Sequence, residues 1–317
     1  MSGRPGTARR VVSLVPSLTE AVAVSLPGVL VGATDWCSHP ADLDVARIGG
    51  TKNPDVDAIL RLGPDLVVAN EEENRAPDLS ALRAAGVEVL VTEVRDVPGA
   101  FRELDRVLRA CGADGRPRWL DEAESAWARL PVPAGSGTPA AFPEPAPDTR
   151  TSPAGSESRS RAVGRPEPRS PEAGHHVSAS EPASGHHAPG STPAAASGPS
   201  AATHRRTTAV VPIWRRPWMV LGRDTFAGDV LARLGVENLY ATHPERYPRV
   251  PVEELRAAAP DLVVLPDEPY RFTAEDGPEA FAGTPCALVS GRHLTWYGPS
   301  LADAPRVIGE ALRAARR

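Results

Sequence analysis

No stretch of this chain reaches the roughly 18 to 20 apolar residues that a membrane-spanning helix requires, so membrane insertion is not expected. Cysteine is scarce: there are only three, Cys37, Cys111 and Cys286, set far apart. An odd, widely spaced set is no disulfide framework and fits a reducing compartment. No excess of positive charge is present, since 35 Lys and Arg stand against 40 Asp and Glu, a formal net charge of −5. That balance argues against nucleic acid as a partner. Catalytic signatures are missing too: there is no Gly-x-Ser-x-Gly elbow, Walker loop, His-Glu-x-x-His helix or dinucleotide-binding glycine pattern. Neither an activated nucleophile nor an acid–base pair is expected.

What is present is a repeat. Val56-Asp57-Ala58-Ile59-Leu60 runs into Pro64-Asp65-Leu66-Val67-Val68, and Val252-Glu253-Glu254-Leu255 runs into Pro260-Asp261-Leu262-Val263-Val264. Each copy reads as a short amphipathic helix with an acid at the same offset, then a Pro-Asp turn feeding an apolar strand. Two copies are too few for a solenoid and predict two similar lobes with a cleft between them.

Around the first copy, strands are predicted over 11–15, 29–32, 66–69 and 87–91, with helices between them. Ser17-Leu18-Thr19-Glu20 has the spacing of a capping box. Alternation of this kind builds a mainly parallel sheet flanked by helices, an α/β lobe over residues 9–110. Phe101, Leu104, Val107 and Leu108 then fall on one helix face, and a second helix carries Trp119 and Trp127. Residues 111–130 are expected to join the lobes as a stiff strut with both tryptophans packed. Residues 131–206 are rich in Pro, Ala, Ser and Gly with few large apolar side chains, a composition that predicts a disordered insert. The second α/β lobe, 207–317, repeats the first: a strand over 209–213, a helix capped by Asp224 or Thr225, strands at 262–265 and 287–289, and a closing helix over 300–316.

Ligands of open parallel sheets bind beyond the carboxyl ends of the strands. Trp36, Trp214, Trp218 and Trp296 fall at such ends, with Tyr297 beside the last and Tyr247 and Tyr270 in comparable loops. Rings there suit a flat, partly apolar ligand, or they cap the sheets. Cys37 and His39 are too few to build a metal site, because zinc needs three or four protein ligands. His39 could instead touch a metal that a ligand brings. Asn70-Glu71-Glu72-Glu73 places three acids directly after a strand, as a solvated face or as cleft lining. Arg215 and Arg216 offer two-pronged contacts to carboxylate or amide groups. Arg9-Arg10 before Val11-Val12 could open a secretory leader, but Pro16 and Glu20 interrupt the apolar run, and neither a cleavage site nor a lipid-attachment cysteine follows. A cytoplasmic location is therefore expected, or a periplasmic or extracellular one if the start lies upstream.

Several motifs carry a family resemblance: Ser13-Leu14-Val15-Pro16-Ser17-Leu18-Thr19-Glu20, Arg47-Ile48-Gly49-Gly50-Thr51, the two Pro-Asp-Leu-Val-Val turns, Gly222-Arg223-Asp224-Thr225 and Tyr247-Pro248. In their order over 9–130 and 207–315 they resemble the helical-backbone metal-receptor superfamily. These are class III solute-binding proteins for cobalamin, heme and ferric siderophores, and the cobalamin-binding branch is the nearest match. The resemblance implies two α/β lobes joined by a long helix, little hinge motion, and a monomer that holds a metal-bearing ligand in its cleft without catalysis. Cobalamin or a related corrinoid is the implied ligand. By position Tyr247 matches an aromatic ligand contact of the second lobe, and Asn70 falls where the first lobe of the cobalamin receptor carries a Trp. His39, Glu71, Arg215 and the rings named above remain expected contacts from their own chemistry and places beyond strand ends. Glu253, with Asp57 as its repeat partner, would dock on an ABC transporter permease. The missing leader and the insert depart from the family pattern. They leave two alternatives, a cofactor-processing component (chelatase or reductase-like) using Cys37, His39 or Glu71 to Glu73, and a cytoplasmic interaction protein whose insert is the working part.

Overall fold

A computed structural model describes residues 10–131 and 206–317. The expected insert lies outside the described residues apart from Pro131 and Arg206. The apolar runs form strands and the amphipathic segments cover them. In the first lobe the order is β1 (Val11–Ser13), α1 (Pro16–Ser25), β2 (Leu30–Ala33), β3 (Ala46–Arg47), α2 (Val56–Leu62), β4 (Leu66–Asn70), α3 (Ala76–Ala84) and β5 (Glu88–Thr92). Its parallel sheet has the order β3-β2-β1-β4-β5. Every residue of β1 and β4 is buried, as strands covered on both faces must be. Two helices follow, α4 (Val97–Ala110) and α5 (Arg118–Ala128).

The second lobe holds β6 (Thr207–Val210), β7 (Pro212–Arg215), β8 (Trp218–Val220), α6 (Phe226–Arg233), β9 (Val236–Asn238), α7 (Val252–Ala257), β10 (Leu262–Pro266), β11 (Cys286–Val289), α8 (Gly291–Thr295) and α9 (Ala304–Ala314). Its parallel sheet reads β9-β6-β10-β11, the same sequence of neighbours as β2-β1-β4-β5 in the first. The repeated helix and strand therefore occupy matching places: α2 precedes β4, and α7 precedes β10. The Pro-Asp turn has the same job twice. The Arg10 amide donates to Asp65 Oδ2 at 3.0 Å, and the Thr208 amide donates to Asp261 Oδ2 at 2.9 Å. Each aspartate thus satisfies the backbone at the edge of the neighbouring central strand, where the ladder has no further partner to offer.

Three local expectations are corrected. The capping box does not form: α1 begins at Pro16, its N-cap Val15 has no side-chain cap, and Glu20 is turned elsewhere. Proline at the first helical position needs no donor there, so the helix starts one residue before the serine. The strand expected over 209–213 is two strands, because Pro212 has no N–H with which to continue the parallel ladder. It opens β7, which pairs antiparallel with β8 as a hairpin. Of the two residues expected to cap α6, Thr225 takes the role, its hydroxyl accepting from the Gly228 amide at 3.3 Å.

The largest apolar cluster crosses from lobe to lobe, through Leu18, Leu104, Leu120 and Trp127 to Phe226, Leu301 and Ile308. On α5, Trp127 Nε1 donates to the Leu301 carbonyl at 2.9 Å, and Trp119 Nε1 donates to Ser25 Oγ at 3.0 Å. On α6, Asp229 accepts from the Val97 amide at 2.8 Å. Both lobes belong to one compact unit.

Candidate functional site

Beyond the carboxyl ends of the strands the two lobes meet along a polar seam. Its first-lobe wall is the turn after β4. Asn70 builds that turn: its Oδ1 accepts from the amides of Glu72 (2.9 Å) and Glu73 (3.3 Å), and its Nδ2 donates to the Thr92 carbonyl at 3.0 Å. Asn74 completes the turn by accepting from the Asn70 amide at 2.9 Å and donating to the Thr51 carbonyl at 3.0 Å. Lys52 also donates to the carbonyl of Glu72. Asn side chains imitate backbone in this way, which is why they favour turns. Asn70, an expected ligand contact, is buried, and its side-chain amide is engaged in holding the turn.

The turn presents Glu71, Glu72 and Glu73. Tyr247 reaches across from the second lobe and its hydroxyl donates to Glu72 Oε2 at 2.7 Å. Arg246 forms an ion pair with Glu72 and lies 3.7 Å from Glu71 Oε1. Arg95 flanks Glu71 at 3.5 Å. Burial, then the nearby charge of Glu72, raises the Glu73 carboxyl, and Lys52 opposes the shift. Burial, then Glu72, likewise pushes the Tyr247 phenol up. Tyr297 is buried with its phenol against Thr92 and Ser17, and it too is pushed up by burial and then Glu73. Its ring packs edge-on against Phe226 at 5.8 Å.

A second crossing lies at His39, whose ring meets Trp296 edge-on at 5.5 Å between centroids. Trp296 is also a hydrogen-bond partner of Glu268, a carboxyl raised by burial and then by Asp267. A third pairs Glu20 of α1 with Arg292 of α8; Arg292 Nε donates to Glu20 Oε2 at 3.2 Å, and Nη2 contacts Oε1.

The ring set divides. His39, Trp296, Tyr247 and Tyr297 gather at the seam with Glu71. Trp214, Arg215, Trp218 and Tyr270 instead form a cluster inside the second lobe. Trp218 stacks on Phe272 at 6.1 Å with planes 11° apart, and Trp214 meets Tyr270 edge-on at 5.6 Å. Arg215 pairs with Asp276 and Glu279, and Tyr270 donates to Asp276 at 2.6 Å. Trp218 and Tyr270 pack against the second lobe's apolar cluster, whereas Trp214 is 42% exposed and reaches it through Tyr270. Trp36 is 69% exposed beyond β2. The seam residues that sequence missed include Arg246, whose signal was its place beside Tyr247-Pro248, and Lys52, Glu268 and Arg292, which carried none.

Cys37 is buried behind the seam, with its Sγ 3.0 Å from Thr19 Oγ1 and 3.2 Å from Thr34 Oγ1, and burial raises its thiol. Cys111 is pushed up to about 12 by burial. Such thiols are poor nucleophiles. Among the described residues no group of three or more His, Cys, Asp and Glu side chains gathers as for a metal ion. No helix among the described residues is long and apolar enough to cross a membrane.

No family model matches the chain. Over 110 residues it is 30% identical to an uncharacterized ABC transporter substrate-binding lipoprotein of Bacillus subtilis, covering 33% of this chain and 35% of that protein. Over 94 residues it is 30% identical to a vitamin B12-binding protein of Vibrio cholerae, covering 29% and 34%. The matched stretch thus spans about a third of these relatives' length. Among solved structures, the periplasmic vitamin B12 binding protein BtuF of Vibrio cholerae superposes with a TM-score of 0.63 at 15% identity, over 99% of this chain and 100% of that one. The periplasmic heme-binding protein RhuT of Roseiflexus superposes with a TM-score of 0.64 at 17% identity, over 98% and 100%.

These names overturn the expected cytoplasmic location, because they describe a lipoprotein and periplasmic proteins and point outside the cytoplasm. The expectation rested partly on the free cysteines. Cys37 and Cys111 are buried and shielded from oxidants in any compartment, and Cys286 is half-buried with no second cysteine free to pair with it, so the unpaired set does not report where the protein resides. The solved structures are periplasmic binding proteins by name, and this chain shares their two-lobed α/β fold.

Proposed function

We propose that this chain binds a metal-bearing macrocyclic or chelate ligand, best a cobalamin or related corrinoid, in the seam between its lobes and performs no chemistry on it. The observation that carries this reading is the convergence of side chains from both lobes beyond the strand ends, at Glu72 with Tyr247 and at His39 with Trp296. An indole and an imidazole brought together from the two lobes offer a flat, metal-bearing ligand a ring surface and a metal-binding nitrogen once it enters the seam. The names of the relatives and neighbours, vitamin B12-binding and heme-binding, support the same class. Glu71 supplies a carboxylate at the seam's rim. Asp57 and Glu253 are placed in the first turns of α2 and α7, at matching positions of the two lobes, and would serve as contacts for a transporter permease.

The test is a titration of the full chain with cyanocobalamin, hemin and a ferric hydroxamate, each followed by tryptophan fluorescence. One of the three is expected to quench at a one-to-one ratio in the micromolar range, with its own absorption spectrum unchanged over hours. Trp296→Ala should weaken that binding about tenfold, a loss of about 1.4 kcal/mol; Trp214→Ala, in the second lobe's own cluster, should not. Silence towards all three ligands, or spectral conversion of the bound one, would refute the proposal.

A further inference from the structure

The seam is bridged by a cluster that is only half satisfied. Arg246 spends Nη1 on the carboxylates of Glu72 and Glu71. Its Nε and Nη2 are buried and have no hydrogen-bond partner among the described residues. Glu72 takes the Tyr247 hydroxyl on Oε2, while its Oε1 is buried against Arg246 without a properly angled hydrogen bond. Arg246 faces two carboxylates, Glu72 and Glu71, and Glu73 lies beside Glu72, with Lys52 acting on Glu73 and Arg95 on Glu71. Buried pairs of this kind owe their marginal stability to the hydrogen bonds they complete, and this one leaves several incomplete.

Resting on the ligand site proposed above, we infer that Glu72, Arg246 and Tyr247 set its specificity, admitting a ligand whose edge carries uncharged carboxamides and rejecting the same frame carrying carboxylates. A carboxamide brings both halves of what the cluster lacks. Its carbonyl oxygen accepts from Arg246 Nε and Nη2, and its NH2 donates to Glu72 or Glu71. A carboxylate satisfies only the arginine. It offers Glu72 no donor and sets a further negative charge directly beside the Glu72 and Glu71 carboxylates that Arg246 already pairs with, in a partly desolvated place where like-charge repulsion at contact is several times stronger than in water. An apolar edge would leave Arg246 Nε and Nη2 buried without hydrogen-bond acceptors. Discrimination arises as much from this repulsion as from the hydrogen bonds that the carboxamide completes.

The experiment compares cyanocobalamin with its side-chain monocarboxylic acids, which share metal and frame and differ by one amide turned into a carboxylate. Dissociation constants are measured by calorimetry on the full chain at low and high salt. Cyanocobalamin is expected to bind, and at least one isomeric acid is expected to bind about tenfold more weakly, a gap that narrows with salt. Glu72→Gln, which keeps the shape and supplies a donor without charge, should close most of that gap while leaving thermal unfolding cooperative. Acids that all bind within threefold of the amide, or a gap unchanged by Glu72→Gln, would overturn the inference. Tighter binding of hemin, with its two propionates, than of cyanocobalamin would overturn it too while leaving the ligand site in place. Silence towards cyanocobalamin, hemin and the ferric hydroxamate alike would remove the site, and this specificity with it.

Discussion

Replacing Glu20 by alanine removes the acidic half of an ion pair that joins α1 of the first lobe to α8 of the second. The Glu20 side chain is only 6% exposed and that of Arg292 25%. Breaking a buried pair by removing one partner costs about 3 to 5 kcal/mol, because the other charge remains in a poor solvent. Arg292 keeps some access to water, so Glu20→Ala should cost about 2 to 3 kcal/mol. Arg292→Met should cost more, since it strands the better buried carboxylate. The double variant should recover part of the loss, giving a coupling of about 2 kcal/mol. Urea unfolding followed by tryptophan fluorescence, with unchanged slopes, measures all three. A Glu20→Ala loss under about 1 kcal/mol, or a cycle additive to within about 0.5 kcal/mol, would show that the pair does not brace the lobes.

Gly222 is packed against the loop that carries Arg246 and Tyr247, and a Cβ there would stand 2.1 Å from the Glu245 carbonyl. Gly222→Ala should therefore displace that loop, costing about 2 kcal/mol of stability and weakening ligand binding; intact binding at wild-type stability would contradict the packing described. Glu73 has a carboxyl raised above its usual 4.5 in the folded state. Its contribution is therefore fully present below about pH 4.5 and is lost as pH rises through the folded value. Glu73→Gln should then raise stability at pH 7 but not at pH 4.5, read by urea midpoints at both, and an equal gain at the two pH values would count against a buried Glu73.

Much of the architecture was legible because it rests on local repetition. Pro64-Asp65 and Pro260-Asp261 each follow a short amphipathic helix and precede an apolar run, and that order is enough to expect twin parallel lobes. The reason for the aspartate was not legible, since its partners Arg10 and Thr208 lie 55 and 53 residues away. Ser17-Leu18-Thr19-Glu20 misled because a capping box is a local pattern, whereas Glu20 is claimed by Arg292, 272 residues on. The tryptophans misled in a related way. Trp36, Trp214, Trp218 and Trp296 look alike as rings at strand ends, but only contacts across the chain separate Trp296 at the seam from Trp214 and Trp218 on the β7–β8 hairpin.

The sequence by itself determined the alternation of strands and helices, their duplication and the expectation of a cleft. These follow from periodicity and turn chemistry within a few residues. Tertiary structure alone decided which polar groups face one another, pairing Arg246 and Tyr247 with Glu72 and sealing Cys37 away. Those pairings depend on desolvation and on partners brought together from distant parts of the chain, which no local pattern encodes.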